Sequence, residues 1–350
     1  MNNLEKLASK HDLDCLKKRF CSDFKIPITI FDEDIFDWYV GFYQHGFKSK
    51  ELWDKTCGII DKMQYQSNIN NFLDEYKTNR EKLIQWILRN DKFLKFSQDP
   101  DFRNKYNIPR EETKNVSKSN IYNEENVGKW FVSLDLKKAN FQVLAKITGL
   151  LGMNDNEPVE KIYKDWIKDV CCPNSDMLWY MFNSKYTREV ILGKCNPSRQ
   201  IKMETWIIWN IWKNIDQKFK NNKLKLVQIG SDEIIAEILP GCNLYEFISD
   251  DFKKQIPCNT KLEVFNLREW IWETYNGSEV KIYERLPLIS SIRFDMSHFK
   301  GIQKQYMPQI YENIFDIGPD KKERDLMFFL EKSMDIVKFT HRLNFKEIRS

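Results

Sequence analysis

The most constraining feature of this sequence is the order of its short apolar runs. Residues 130–134 form one such run and end at Asp135. Residues 224–229 and 234–239 form two more, on either side of the turn Gly230-Ser231-Asp232-Glu233, and residues 260–267 form a fourth. Short runs rich in β-branched and aromatic residues and bounded by turn residues read as strands. Two runs joined by a glycine-containing turn read as a hairpin. The intervening segments have a helical period instead. Residues 139–151 read as a helix stopped at Gly152, and 157–193 as helical with breaks. Residues 198–219 read as one long helix whose band Trp206, Trp209 and Trp212 is core, and 245–252 as a shorter helix.

The resulting order is strand, helix, inserted helices, hairpin, helix, strand. This predicts an α+β fold with a ferredoxin-like βαββαβ sheet spanning 127–270, in which 157–220 is a helical insertion. Residues 1–96 read as a helical N-terminal region, beginning with Leu4, Leu7, Leu13 and Leu16 and interrupted by a short strand at 26–30. Residues 97–126 are polar, contain two prolines and lack periodicity, so they read as a linker or long loop. Residues 271–350 read as a mixed C-terminal region, with strands in 278–295 and mostly helix in 300–345.

Composition excludes more than it selects. With 42% hydrophobic and 30% charged residues the chain is globular rather than disordered. A net charge of +4 does not by itself argue for nucleic acid. The eight cysteines contain no C-x-x-C pair and the four histidines have no ligand spacing, so zinc is not expected. Free thiols and the lack of any long apolar run predict no membrane span and a cytoplasmic or other reducing intracellular compartment. Abundant Lys, Asn and Ile with scarce Ala suggest an AT-rich coding genome, such as that of a virus, a parasite or a bacterium.

The chemistry points to two acidic positions at element ends. Asp135 closes the first strand and Asp232 sits at the hairpin tip. In a βαββαβ sheet these strands are neighbours, so the two carboxylates meet. Adjacent carboxylates repel and are desolvated, and so call for a cation. Carboxylate oxygens suit Mg²⁺ or Mn²⁺. A pair of ions can clamp the attacking and leaving oxygens of a phosphoryl displacement.

The run from Ser133 through Asp135, Leu136, Lys137, Lys138, Ala139 and Asn140 to Gly149 resembles motif A of family A DNA polymerases. The run Gln228-Ile229-Gly230-Ser231-Asp232-Glu233-Ile234 resembles their motif C. The resemblance implies a palm domain and Asp135 and Asp232 as ligands of two Mg²⁺ or Mn²⁺ ions. It also implies Glu233 as a further catalytic carboxylate, and transfer of an NTP or dNTP to a nucleic-acid 3′ end. The motif C histidine is replaced by Gly230-Ser231, and the fingers helix of that family is absent. The same hairpin is equally similar to the GGDEF turn of diguanylate cyclases and to the Ser-Asp-Glu of tRNA-His guanylyltransferases. A template-free cyclase or guanylyltransferase-like enzyme, and an inactive palm-derived binding or scaffold protein, therefore stay open as alternatives.

Nucleotide contacts are expected from Lys138 and from Asn140, which is small enough to admit and bond a ribose hydroxyl. The segment before the long helix concentrates cations around Gly193 and Pro197. From it Arg188, Lys194 and Arg199 are expected to hold the triphosphate, and Gln200 the base or sugar.

Overall fold

The computed structural model describes residues 8–29, 31, 33–62, 68–109, 113, 116, 121–151, 157–193, 195–218, 223–273, 279–289, 298–302, 307, 311 and 340–344. Helices α1 (Lys10–Phe24), α2 (Glu33–Phe42), α3 (Gln44–Phe47), α4 (Ser49–Lys62), α5 (Asn68–Arg89), α6 (Asp91–Gln98) and α7 (Phe102–Lys105) come first. Strand β1 (Trp130–Leu136) leads into α8 (Ala139–Thr148), α9 (Val159–Cys171), α10 (Ser175–Asn183), α11 (Lys185–Gly193) and α12 (Pro197–Lys218). The hairpin β2 (Leu224–Ile229) and β3 (Glu233–Ile238) follows. Then come a 3₁₀ turn, the single-turn α13 (Asp250–Lys253), β4 (Thr260–Glu273), β5 (Glu279–Pro287), β6 (Phe299–Lys300) and β7 (Thr340–Asn344).

The chain is thus α+β, with one sheet ordered β2-β3-β1-β4-β5-β6, to which β7 adds by pairing with β4. Every pairing is antiparallel. Strand alternation splits the sheet into two faces. Val132, Leu134, Leu136, Ile234, Ala236 and Val264 join the large core beneath the helices. Phe131, Ile235, Phe265 and Leu267 form a smaller cluster on the opposite face. Helix α12 lies against β1, β2 and β3, and α8 packs on α12.

The N-terminal helices share that large core rather than forming a separate unit, since one buried cluster runs from Leu13 to Tyr311. In α1 the three- and four-residue spacing of Leu13, Leu16, Phe20 and Phe24 buries one stripe, capped by the Ser9 side chain accepting the Asp12 N–H. Its last turn contains Asp23, fully buried. Arg19 pairs with that carboxylate at 2.7 Å, Tyr180 donates at 2.7 Å and Tyr76 at 2.9 Å. A buried charge persists only when paired and hydrogen-bonded, so this cluster fixes α1 against α5 and α10.

Several expectations change. Residues 26–29 form no strand. Residues 97–126 are not merely a solvated linker: Phe102 is buried against Phe96, and Tyr106 packs edge-on against Trp206. Ile121 and Val127 cover the second face of the sheet. The helix expected at 245–252 is a 3₁₀ turn, Leu244–Ile248, followed by the single-turn α13. Of 300–345, expected to be mostly helical, residues 340–344 are strand, and most of the remainder lies outside the described residues, as does Gly152. No helix among the described residues is long and apolar enough to cross a membrane.

Candidate functional site

The antiparallel register sets Lys261, Asp135 and Glu233 in one row across β4, β1 and β3. The next row places Glu263 opposite Ser133. These positions alternate with the helix-side core residues, so they belong to the face turned away from the helices. Asp232 lies in the turn before β3. The Gly230 N–H donates to the Glu233 carbonyl at 2.7 Å, and a Cβ on Gly230 would come within 3.1 Å of that oxygen. Glycine is what permits so close a turn. The Leu136 N–H then donates to the Asp232 carbonyl at 2.9 Å, fastening the turn to the end of β1. Asp135 and Asp232 consequently line one cavity of about 290 Å³, together with Lys261, Arg285 and Lys300.

Arg285 comes from β5 yet reaches Glu233 on β3, across β4 and β1, so the open face is concave. Its Nη1 and Nη2 donate to the two Glu233 oxygens at 2.5 and 3.0 Å, and its Nε donates to Tyr122 Oη at 2.8 Å. Ser133 donates to Glu233 Oε1 at 2.6 Å. Burial alone would raise the Glu233 carboxyl, but the Arg285 bonds and charge outweigh it and hold the group below the usual carboxylate range. Glu233, expected to be a catalytic carboxylate, is engaged by Arg285 and Ser133. Both of its oxygens are already bonded.

Asp135 differs. It accepts no hydrogen bond and makes no ion pair among the described residues. Burial, then the charges of Glu233 and Asp232, push its carboxyl up to about 6 against the pull of Lys261 and Arg285. Near Asp232, on α12, lies Glu204, only 4% exposed and, among the described residues, without a hydrogen bond or ion pair. Burial and the Asp232 charge raise it to about 7. Two cations of the cavity, Lys261 and Lys300, also lack an ion pair or hydrogen bond among the described residues. Burial and the nearby Arg285 lower the Lys300 ammonium.

The other expected residues divide. Lys138 is the left-handed N-cap of α8 (φ 48°), a strained conformation for a non-glycine residue immediately beyond the acidic strand. Its ammonium lies over the Tyr163 and Phe182 rings and is lowered to about 8 by burial and by Arg188. Lys138 and Arg188 are thus brought together, with Lys185 close by. Lys185 lines a second cavity of about 540 Å³ that shares Lys300 with the first. Asn140 is half-buried in the first turn of α8. Lys194 lies outside the described residues.

Arg199 and Gln200, expected to contact the nucleotide, both bond backbone carbonyls of the fold. Arg199 donates to the carbonyls of Phe96 and Asp99 at 2.6 and 2.9 Å and stacks on Phe102, and buried Gln200 donates to the Cys195 carbonyl at 2.6 Å. Replacing Arg199 by Ala is expected to cost ~2 kcal/mol of stability, as loss of a charged donor does. Denaturant melts should register that cost, while nucleotide affinity should not change.

Sequence reasoning missed Lys261, Glu263, Arg285, Lys300 and Tyr122. The signal that could have found two of them is the alternation of Lys261 and Glu263 with apolar residues in β4. Arg285 and Lys300 carry no such local signal. Among the described residues, no group of three or more His, Cys, Asp or Glu side chains is placed to hold one metal ion. Comparison of the chain with protein-family models, curated proteins and solved structures finds no match.

Proposed function

We propose that this chain is a palm-type nucleotidyltransferase that joins a nucleoside triphosphate to a nucleic-acid 3′ end, using a divalent cation held by Asp135 and Asp232. One observation carries the reading. Two carboxylates and two ammonium groups line the same cavity, and the Lys261 and Lys300 ammoniums form no ion pair with either carboxylate. Opposite charges left apart in one cleft suit a ligand that carries both signs, and a cation–polyphosphate complex does so.

The sheet supports the reading. Its order β4-β1-β3-β2, antiparallel throughout, agrees with the strand order expected of a βαββαβ unit, with helices on one face and the acidic residues on the other, although the second helix is reduced to a 3₁₀ turn and a single helical turn. The donors fit the ion: hard carboxylate oxygens from a strand end and a turn apex. When bound, the cation would polarise the reacting phosphate and favour ionisation of the attacking hydroxyl.

The chain's own residues do the rest. Asp135 and Asp232 provide the negative charge that retains the ion. Lys261 and Lys300 face the phosphates. Lys185, Arg188 and Lys138 extend the positive surface away from the acidic end. Arg285 holds Glu233, and through it the turn that carries Asp232.

The test is incubation with labelled NTPs and dNTPs and Mg²⁺ or Mn²⁺, with and without primer–template, for wild type and Asp232→Ala. Primer extension by wild type, lost in the variant, is the expected result. Cyclic or dinucleotide products without primer would instead identify a template-free enzyme. Absence of any product, together with nucleic-acid or protein binding that is unchanged in Asp232→Ala, would sink the enzymatic reading.

A further inference from the structure

We infer that a groove leading away from the acidic cavity binds single-stranded nucleic acid, with its phosphates on Lys18, Lys25, Lys185 and Lys300. The inference rests on the proposed function and extends it from the acidic centre to the path of the strand. The groove consists of two cavities, of about 540 and 680 Å³. Phe47 and Met307 line both, and Lys300 lines the first of them as well as the acidic cavity. The three hollows therefore follow one another, with Asp135 and Asp232 at one end.

The charge of the groove is one-sided. Lys18 lies on α1, Lys25 at its C-cap, Lys185 at the start of α11 and Lys300 on β6. No carboxylate among the described residues lines either cavity. Ammonium groups gathered from three distant parts of the chain into one groove repel one another, and a polyanion relieves that repulsion. Their present partners are weak. Lys185 and Lys300 form no ion pair or hydrogen bond among the described residues. Lys18 lies 5.7 Å from the centre of the Phe31 ring. Lys25 pairs with Glu189 at 2.6 Å, but both side chains are open to water, and such a pair is worth little.

The lining between the lysines decides the class of polyanion. Phe31, Phe47 and Phe299 bring aromatic rings to the groove, and Ile26, Ile302 and Met307 bring aliphatic groups. A duplex presents phosphates outward and keeps its bases stacked inside, so it would leave these groups uncovered. A single strand offers phosphates and unpaired bases together, and both kinds of lining then have a partner.

The experiment measures fluorescence anisotropy of labelled oligo-dT and oligo-U of about 12 nucleotides, within the site size of such grooves. The full chain is used, without nucleotide or divalent metal. Four phosphate contacts predict a salt slope of about −3, so affinity should fall ~50-fold between about 50 and 200 mM salt. Changing Lys18 and Lys25 together to Ala should halve that slope and weaken binding at least about tenfold. Changing Lys92 and Lys95 together to Ala removes the same charge from a cavity that shares no residue with the groove, and should change neither. Thermal melts of both double variants check the fold. An abasic strand of equal length should bind at least about tenfold more weakly, the scale of one lost base stack. Equal losses in the two double variants, equal binding of the abasic strand, or tighter binding of a duplex each overturn the inference. Primer extension by wild type, with strand binding indifferent to the Lys18 and Lys25 changes, overturns it and leaves the proposed function standing. Groove-dependent binding without any nucleotide transfer upholds the inference and removes the enzymatic reading alone.

Discussion

Asp135→Asn should abolish nucleotide transfer and, above pH 6, make the protein more stable. The first effect follows, under the proposed function, from removing one of the two carboxylates proposed to hold the cation. A metal contributes several kcal/mol to charge stabilisation, so losing it should cost at least about a thousandfold in rate. The second follows from the position of the carboxyl. Its ordinary value is 3.8, and the fold raises it to about 6. Below about 4 it is protonated both in the folded protein and in the unfolded chain, and nothing is lost. Between 4 and 6 the unfolded chain ionises while the folded one resists, so stability falls as pH rises. Above 6 both forms are charged and the penalty stays constant. Taken alone the shift would be ~3 kcal/mol. Water at the mouth of the cavity reduces it to ~1–2 kcal/mol. The Asn variant should therefore melt roughly 2–4 °C higher than wild type at pH 7.5 without added metal, and at the same temperature near pH 4. Equal melting temperatures at both pH values would remove the argument that the site stores repulsion for a cation. Unimpaired transfer by the variant would remove the argument that Asp135 serves it.

The parts of this fold and site that could be read from sequence are those carried by local pattern. Strands β1, β2 and β3 stand out because each run is rich in apolar and β-branched residues and ends at a turn residue. That pattern also places Asp135 and Asp232 at element ends, and antiparallel pairing through the Leu136–Asp232 backbone bond brings those ends together. What could not be read depends on chain separation. Arg285 meets Glu233 only because the sheet curls across two intervening strands, and nothing near residue 285 signals that contact. Arg199 looked like a phosphate ligand because it stands beside Lys194 and Pro197. Its guanidinium instead finds carbonyls 103 and 100 residues earlier in the chain. Phe102 and Ile121 are lone apolar residues in polar sequence, so periodicity cannot show that they are buried. The helix expected at 245–252 failed because it is too short for its period to be more than suggestive; Asn243 and Ser249 side chains instead cap two short turns.

Arg285→Met should produce the largest stability loss of any single change at the site. The guanidinium side chain is 7% exposed and the Glu233 side chain 20%. Removing the cation leaves a buried carboxylate near Asp135 with only the Ser133 hydrogen bond and the unbonded Lys300 charge for support. Breaking a buried pair in this way costs ~3–5 kcal/mol, much of it the penalty on the abandoned charge rather than the worth of the pair. Two consequences separate this account from simple loss of packing. First, adding Glu233→Gln to Arg285→Met should restore much of the stability, because the stranded charge is gone. Second, the pH dependence has a definite sign. In wild type the Glu233 carboxyl lies below its ordinary 4.5, so the pair contributes fully above pH 4.5 and its contribution fades as pH falls through the depressed folded value. In Arg285→Met the same carboxyl is raised and takes up a proton in the folded state. The stability gap between wild type and variant should then narrow steadily as pH is lowered from 7 to 4. Urea melts across that range measure it. A gap that stays constant, with no recovery in the double variant, would mean that Arg285 acts through its stacking on Phe265 and Tyr122 and not by neutralising the carboxylate that anchors the Asp232 turn.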